Sequence, residues 1–357
     1  MPTPRRLLVD RSEPGYYHCI SRCVRQAFLC GGEFEHRRAW IEERARELAS
    51  IFAIDVCALG VLSNHYHVIL RTEPELAEEW TADEVRTRWK RLYPQSLTSS
   101  DGGDADALGP HDAGQKRLRT LRNQLCDLSW FMRALNEYIA RRANHEEGRT
   151  GRFWEGRFKS IRLLDEEALL QCSMYVDLNE IRSGLAETPE ASKHSSVHAR
   201  IRVKQLHEHR RGQRRRAPHD PMKLIGFTEE LDPSSVAAQG FRADERGIWM
   251  VPVEQAPAGS RKPATAAAQR RRGMLGMTVN TYLELVDSFG RIVKAGKRAI
   301  PAHLKPILER LRVDMDRLTT FLTKVQRFYG TAAGAPSLLK REAQRRQRSR
   351  VVSIFAS

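Results

Sequence analysis

Ile54-Asp55-Val56-Cys57-Ala58-Leu59-Gly60-Val61-Leu62-Ser63-Asn64-His65-Tyr66-His67-Val68-Ile69-Leu70 is the stretch from which the fold is read. An apolar run, Ile54 to Leu62, meets the polar pair Ser63-Asn64 and then a second apolar run, Val68-Ile69-Leu70. Two apolar runs split by a short polar turn predict a β-hairpin. Side chains alternate faces along a strand, so His65 and His67 share one face and Tyr66 takes the other. Neutral imidazole is the commonest metal ligand, and two on one sheet face can hold one ion. A pair of hydrogen-bonded surface histidines would look the same, so the reading turns on what else the chain supplies.

About a hundred residues on, Asp165 to Arg182 reads as a helix. It opens on acidic residues, which suit the positive end of a helix dipole, and it stops at Ser183-Gly184. Leu170, Met174, Leu178 and Ile181 form an apolar stripe. Tyr175 and Asn179, four residues apart, project side by side along its edge. A phenol and a carboxamide beside two imidazoles would make a metal site with an adjacent nucleophile. The alternative is a core-rim tyrosine and a polar spacer. The chemistry of the first reading is coherent. A phenol has a pKa near about 10 and is a poor nucleophile at neutral pH, and a phosphodiester is a poor electrophile. A divalent metal neutralises and orients such a phosphate, and two histidines with one amide leave coordination positions open for it. Attack by the phenol would give a covalent phosphotyrosine and conserve the diester energy for rejoining.

Four blocks in order carry a family resemblance: Tyr16-Tyr17-His18-Cys19-Ile20-Ser21-Arg22, Ser63 to Leu70, Gly151-Arg152-Phe153-Trp154-Glu155-Gly156-Arg157-Phe158-Lys159-Ser160, and Tyr175 to Gly184. Over residues 12–200 the chain resembles the HUH single-tyrosine transposases, in the branch associated with repetitive extragenic palindromes. The resemblance implies a ferredoxin-like α+β core and a nucleophilic Tyr175. It implies Mg²⁺ or Mn²⁺ held by His65, His67 and Asn179. It further implies single-stranded or hairpin DNA as substrate, cleaved through a 5′-phosphotyrosine, and a possible homodimer. One departure stands out, because Glu180 occupies the position after the asparagine where the family usually has proline. A non-catalytic nucleic-acid-binding regulator on the same scaffold is the rival expectation, and a zinc phosphoesterase using water is a third.

Charge supports a nucleic-acid partner. The chain of 357 residues carries 60 Lys+Arg against 44 Asp+Glu, a net +16. Residues 1–200 hold 29 basic against 30 acidic side chains, whereas residues 201–357 hold 31 against 14. Phosphate neutralisation supplies most non-specific nucleic-acid affinity, so the C-terminal part is expected to grip DNA, unless its arginines only solubilise a tail. Nearer the site, Arg22, Arg152, Trp154, Arg157, Lys159 and Arg182 are candidate DNA contacts, the aromatics between cations suiting a single strand. Phe158 reads as core, and a place capping the core between helix and strand is an equal alternative for Trp154. No apolar stretch approaches the ~20 residues of a membrane span, no apolar segment follows the N-terminal arginines, and six scattered cysteines fit reduced thiols in a cytoplasmic protein.

The length suggests about two domains. Strands are expected at 15–23, 54–62, 66–71 and 157–163, and helices at 35–51, 82–92, 118–145 and 165–182. A catalytic domain over 1–200 would carry an insertion at about 72–117, with a flexible loop at 96–114. A basic, partly disordered linker (201–273), a small helical unit (274–335) and an arginine-rich, disordered tail (336–357) would follow. In the helical unit, Tyr282, Leu285, Val286 and Phe289 form a stripe with Gly290 as its stop, and two further helices lie at about 303–311 and 315–329.

Overall fold

The computed structural model describes residues 9–10, 12–94, 110–203, 249–254, 273–293 and 332–346. Pro14 and Gly15 deliver the chain into β1 (Gly15–Arg22), and a short loop leads to α1 (Arg37–Ile51). β2 (Ile54–Val61) and β3 (His65–Thr72) are the expected hairpin. Then come α2 (Pro74–Glu79), α3 (Ala82–Leu92), α4 (Pro110–Leu125) and α5 (Leu128–Glu146). β4 (Lys159–Leu163), α6 (Glu166–Asp177) and α7 (Asn179–Arg182) carry the late blocks. The described C-terminal elements are α8 (Val279–Val293), β5 (Ala332–Ala333) and α9 (Pro336–Arg345).

The result is a mixed α+β fold on a five-stranded sheet of order β2-β3-β1-β4-β5. β1 pairs antiparallel with both β3 and β4, β2 antiparallel with β3, and β5 parallel with β4. Both faces are covered, as a sheet with apolar residues on two sides requires. On one face Tyr17, Cys19, Tyr66 and Val68 pack with Ile41, Leu48, Phe131 and Leu135 of α1 and α5. On the other, Ile69, Ile161 and Leu163 meet Leu170, Met174 and Val176 of α6 and Tyr282, Leu285 and Phe289 of α8. The register sets Ile20 opposite His67 and Arg22 opposite His65, so the histidines look toward α6.

Several expectations change. The single helix over 118–145 is two, because Asp127 has an extended backbone and its carboxylate accepts from the Ser129 and Trp130 amides, capping α5. Likewise the helix over 165–182 is interrupted at Leu178 (φ −90°, ψ −3°). Gly290 does not stop α8, which runs to Val293; a Cβ there would come within 3.3 Å of Leu178, so the glycine lets the helix lie close. The buried stripe of α8 faces α6 instead of a core of its own. Within the expected linker, Met250 bridges to Val56, and Val251 and Val253 are buried. Part of the expected tail is α9, whose Glu342 pairs with Arg345, Arg346 and Arg162. Residues 96–109 of the expected loop, 204–248 and 255–272 of the expected linker, the helices at 303–311 and 315–329, and residues 347–357 lie outside the described residues.

Candidate catalytic site

Gly60 is what allows α6 to reach the histidines. It sits opposite His67 in the hairpin, and a Cβ on it would lie 2.8 Å from the Val176 carbonyl oxygen. With hydrogen there instead, the α6 backbone rests directly on the sheet. Asp165 starts that helix by accepting from the Ala168 amide at 2.7 Å. Asp177, wholly buried, then pins its C-terminal end: it accepts from the Ser196 hydroxyl, from the Val197 amide at 2.9 Å and from the Tyr282 hydroxyl at 2.6 Å.

That placement brings the sequence-derived residues together within one chain. The His65 and His67 ring centroids are 4.9 Å apart. The Tyr175 ring stands edge-on to His67 at 5.2 Å between centroids. Asn179 follows one turn later, 5% exposed, with its carboxamide beside the Tyr175 phenol. Arg182 holds its guanidinium 5.5 Å from the Tyr175 ring, with Nε and Nη2 lacking hydrogen-bond partners. Arg22 is half-buried at the end of β1, opposite His65.

His18 was not among the expected residues. It lies diagonal to His67 across the β1–β3 pair, and its Nε2 meets His67 Nδ1 at 2.9 Å. His65 is held in the same way, its Nδ1 meeting Asn64 Oδ1 at 2.6 Å. Both hairpin histidines are therefore oriented through Nδ1. Burial lowers all three imidazoles: His18 to about 3, His65 to about 4 with help from the Arg22 charge, and His67 well below its ordinary value. They are neutral at pH 7, the form that ligates metals. Tyr175 is 2% exposed, and burial pushes its phenol up to about 12 while the Arg182 charge pulls the other way. Burial also lowers Arg182.

The remaining candidates divide. Arg152, Arg157 and Lys159 are exposed. Trp154 is buried on the opposite face of the sheet, its indole N–H donating to the Asn136 carbonyl at 2.8 Å and its ring edge-on to Tyr66 and Phe153. It is a core residue with no face for a base, a correction to its expected DNA role. Phe158 is core too. Glu180 is buried and accepts from the His194 amide at 2.9 Å, so the departure at that position ties the 192–197 segment to the site helix. Burial pushes its carboxyl up to about 7. No disulfide joins the six cysteines.

No protein-family model matches the chain, and no curated protein does. Among solved structures, that of a REP-associated tyrosine transposase bound to a REP hairpin is similar, with a TM-score of 0.31 and 14% identity, covering 52% of this chain and 79% of that one. A likeness of that size says nothing about which residues act, so the chemistry has to be argued from the side chains. Among the described residues no helix is long and apolar enough to cross a membrane. Nor do three His, Cys, Asp or Glu side chains there converge as a metal cage, so an ion at this site would depend on the Asn179 carboxamide as third donor.

Proposed function

We propose that the chain is a transposase-type nuclease and strand transferase for single-stranded or hairpin DNA, with Tyr175 as nucleophile. The strand order β2-β3-β1-β4, antiparallel throughout, supports a ferredoxin-like core beneath this site. The observation that carries the reading is the edge-on approach of the Tyr175 ring to His67 at 5.2 Å, with Arg182 beside it. Pairwise neighbours link a phenol, two imidazoles, a carboxamide and a guanidinium, which supports the reading.

The donor set fits a divalent ion. His65 and His67 are neutral, and both are fixed through Nδ1, the outer-shell support that metal-binding histidines receive. With Asn179 they would hold Mg²⁺ or Mn²⁺; histidine nitrogen favours Mn²⁺ of the two. Such an ion, when bound, supplies charge neutralisation on the phosphate under attack. The chain supplies the rest. Arg182 presents unpartnered nitrogens where a phosphate would lie over Tyr175. The phenol oxygen forms a bond to phosphorus, the P–O3′ bond breaks, and the phenol proton ends on the departing 3′ oxygen. The products are a 5′-phosphotyrosine and a free 3′-hydroxyl. The raised pKa keeps the phenol protonated until substrate is in place.

The test is incubation of the full chain with hairpin oligonucleotides bearing single-stranded flanks, in Mn²⁺. A denaturing gel should show a covalent protein–DNA adduct for the wild type and none for Tyr175→Phe, which should still bind the strand. Binding without an adduct over varied hairpins would favour the non-catalytic regulator, and hydrolysis unaffected by Tyr175→Phe would favour attack by water.

A further inference from the structure

The loop that follows β1 is strained, solvent-facing and tied to the site. Arg25 and Gln26 are consecutive non-glycine residues at φ 54° and 55°. Left-handed backbone costs such residues on the order of 1–2 kcal/mol each, and it persists only where the surroundings enforce it. Here the Cys23 amide donates to the Asn64 carbonyl and the Cys30 amide to the Ser63 carbonyl, both at 2.8 Å, so each end of the loop is bound to the hairpin turn. Between those ends Asn64 Nδ2 donates to the Gln26 carbonyl at 3.1 Å. The other end of that carboxamide, Oδ1, meets His65 Nδ1 at 2.6 Å. One side chain thus connects the strained turn to an imidazole of the site.

At the tip of this loop stands Phe28, 69% exposed and the most exposed large hydrophobic among the described residues. Its loop neighbours Arg25 and Gln26 are exposed as well. Its flanking residues Ala27 and Leu29 are half-buried, and no other large hydrophobic of this loop is exposed, so the ring stands alone and is not the contiguous apolar patch that a protein partner buries. An exposed aromatic ring on a loop that also exposes Arg25, with Arg22 at the end of the preceding strand, suits one unit of a single strand: a base for the ring and a phosphate for a cation. Arg22 stands opposite His65 in the β1–β3 pair, so a cation lies between this loop and the site.

We infer that Phe28 is a stacking platform for a nucleobase of a single-stranded nucleic acid entering the Tyr175 site, held in position by the Asn64 bridge to His65. The inference rests on the proposed single-strand chemistry of that site and adds the residue that positions the strand.

Fluorescence anisotropy with a fluorescein-labelled, mixed-sequence single-stranded oligodeoxynucleotide tests it, without divalent metal so that no cleavage intervenes. Phe28→Ala should weaken binding by roughly 5- to 150-fold, the range for loss of one stacked base, and Phe28→Trp should restore it. The thermal midpoint of Phe28→Ala should match the wild type, because the ring is mostly in solvent. Replacing bases one at a time by abasic sites should reveal one position at which the wild type loses affinity and Phe28→Ala loses none. Unchanged binding of Phe28→Ala, or the same abasic profile in both proteins, overturns the inference while leaving the site reading intact. A wild-type chain that does not bind the strand at all overturns both.

Discussion

His18 and Tyr175 show what single residues contribute here. The 2.9 Å contact between His18 Nε2 and His67 Nδ1 fixes the His67 ring across two paired strands. When His67 presents Nε2 to an ion, its Nδ1 carries the proton and His18 accepts it. Outer-shell partners of this kind are worth about 10–100-fold in metal affinity. Calorimetric titration of the protein with Mn²⁺ should therefore show His18→Leu binding about 10–100-fold more weakly, with His18→Gln recovering much of the loss through its side-chain oxygen. Equal affinity in His18→Leu would remove His18 from that role. His65, His67, Tyr175 and Asn179 could be picked from the sequence because each pair obeys a local period, two along a strand and four along a helix. His18 could not, since its value lies in a diagonal contact with a residue 49 positions away. Trp154 stays undecided in the sequence for the complementary reason. A tryptophan between arginines has the same spelling whether its ring meets a base or, as here, Tyr66 and the Asn136 carbonyl.

Among elements, the seating of α6 on the β2–β3 hairpin matters most. Gly60 faces the Val176 carbonyl too closely for any Cβ. The atom in the way is backbone, so it cannot swing aside as a side chain would. Gly60→Ala should cost about 1–3 kcal/mol, read by urea unfolding, because α6 must lift off the sheet. A variant as stable as wild type would mean that the helix is not held at that distance. The hairpin and the first turn of α6 were legible from two apolar runs split by Ser63-Asn64 and from the acidic start at Asp165, features that act locally. The break at Asp127 was hidden by apolar periodicity continuing on both sides of it. The true role of Gly290 was hidden because a glycine spaced like a helix stop is also a glycine that admits Leu178.

At the scale of the whole molecule, the C-terminal elements are stitched to the sheet and α6 by buried polar groups. Tyr282 of α8 donates to Asp177 between Tyr175 and Asn179, and Arg200 lies 3.8 Å from the same carboxylate. On the far edge of the sheet Arg162 of β4 bridges Glu342 of α9 and Asp10. Composition marks this half of the chain only as basic, and that excess conceals the few acids that dock it. Burial works against the Glu342 charge, yet Arg345, Arg162 and Arg346 outweigh it and hold the carboxyl below its ordinary 4.5. A depressed folded-state pKa contributes stability that is present above the unfolded value and lost as pH falls through the folded one. The difference in thermal midpoint between wild type and Glu342→Gln should thus stay level from neutral pH down to about 5 and shrink below 4.5. A difference that grows on acidification would contradict this docking. The proposed chemistry joins the Tyr175 phenol covalently to DNA. Its most direct test is peptide mass spectrometry of the wild-type chain after reaction with a single-stranded hairpin substrate in Mn²⁺ and nuclease trimming. A nucleotide-phosphate mass on the peptide containing Tyr175, localised to that side chain, is the expected result; cleaved DNA with that peptide unmodified, or the adduct on another residue, would contradict it.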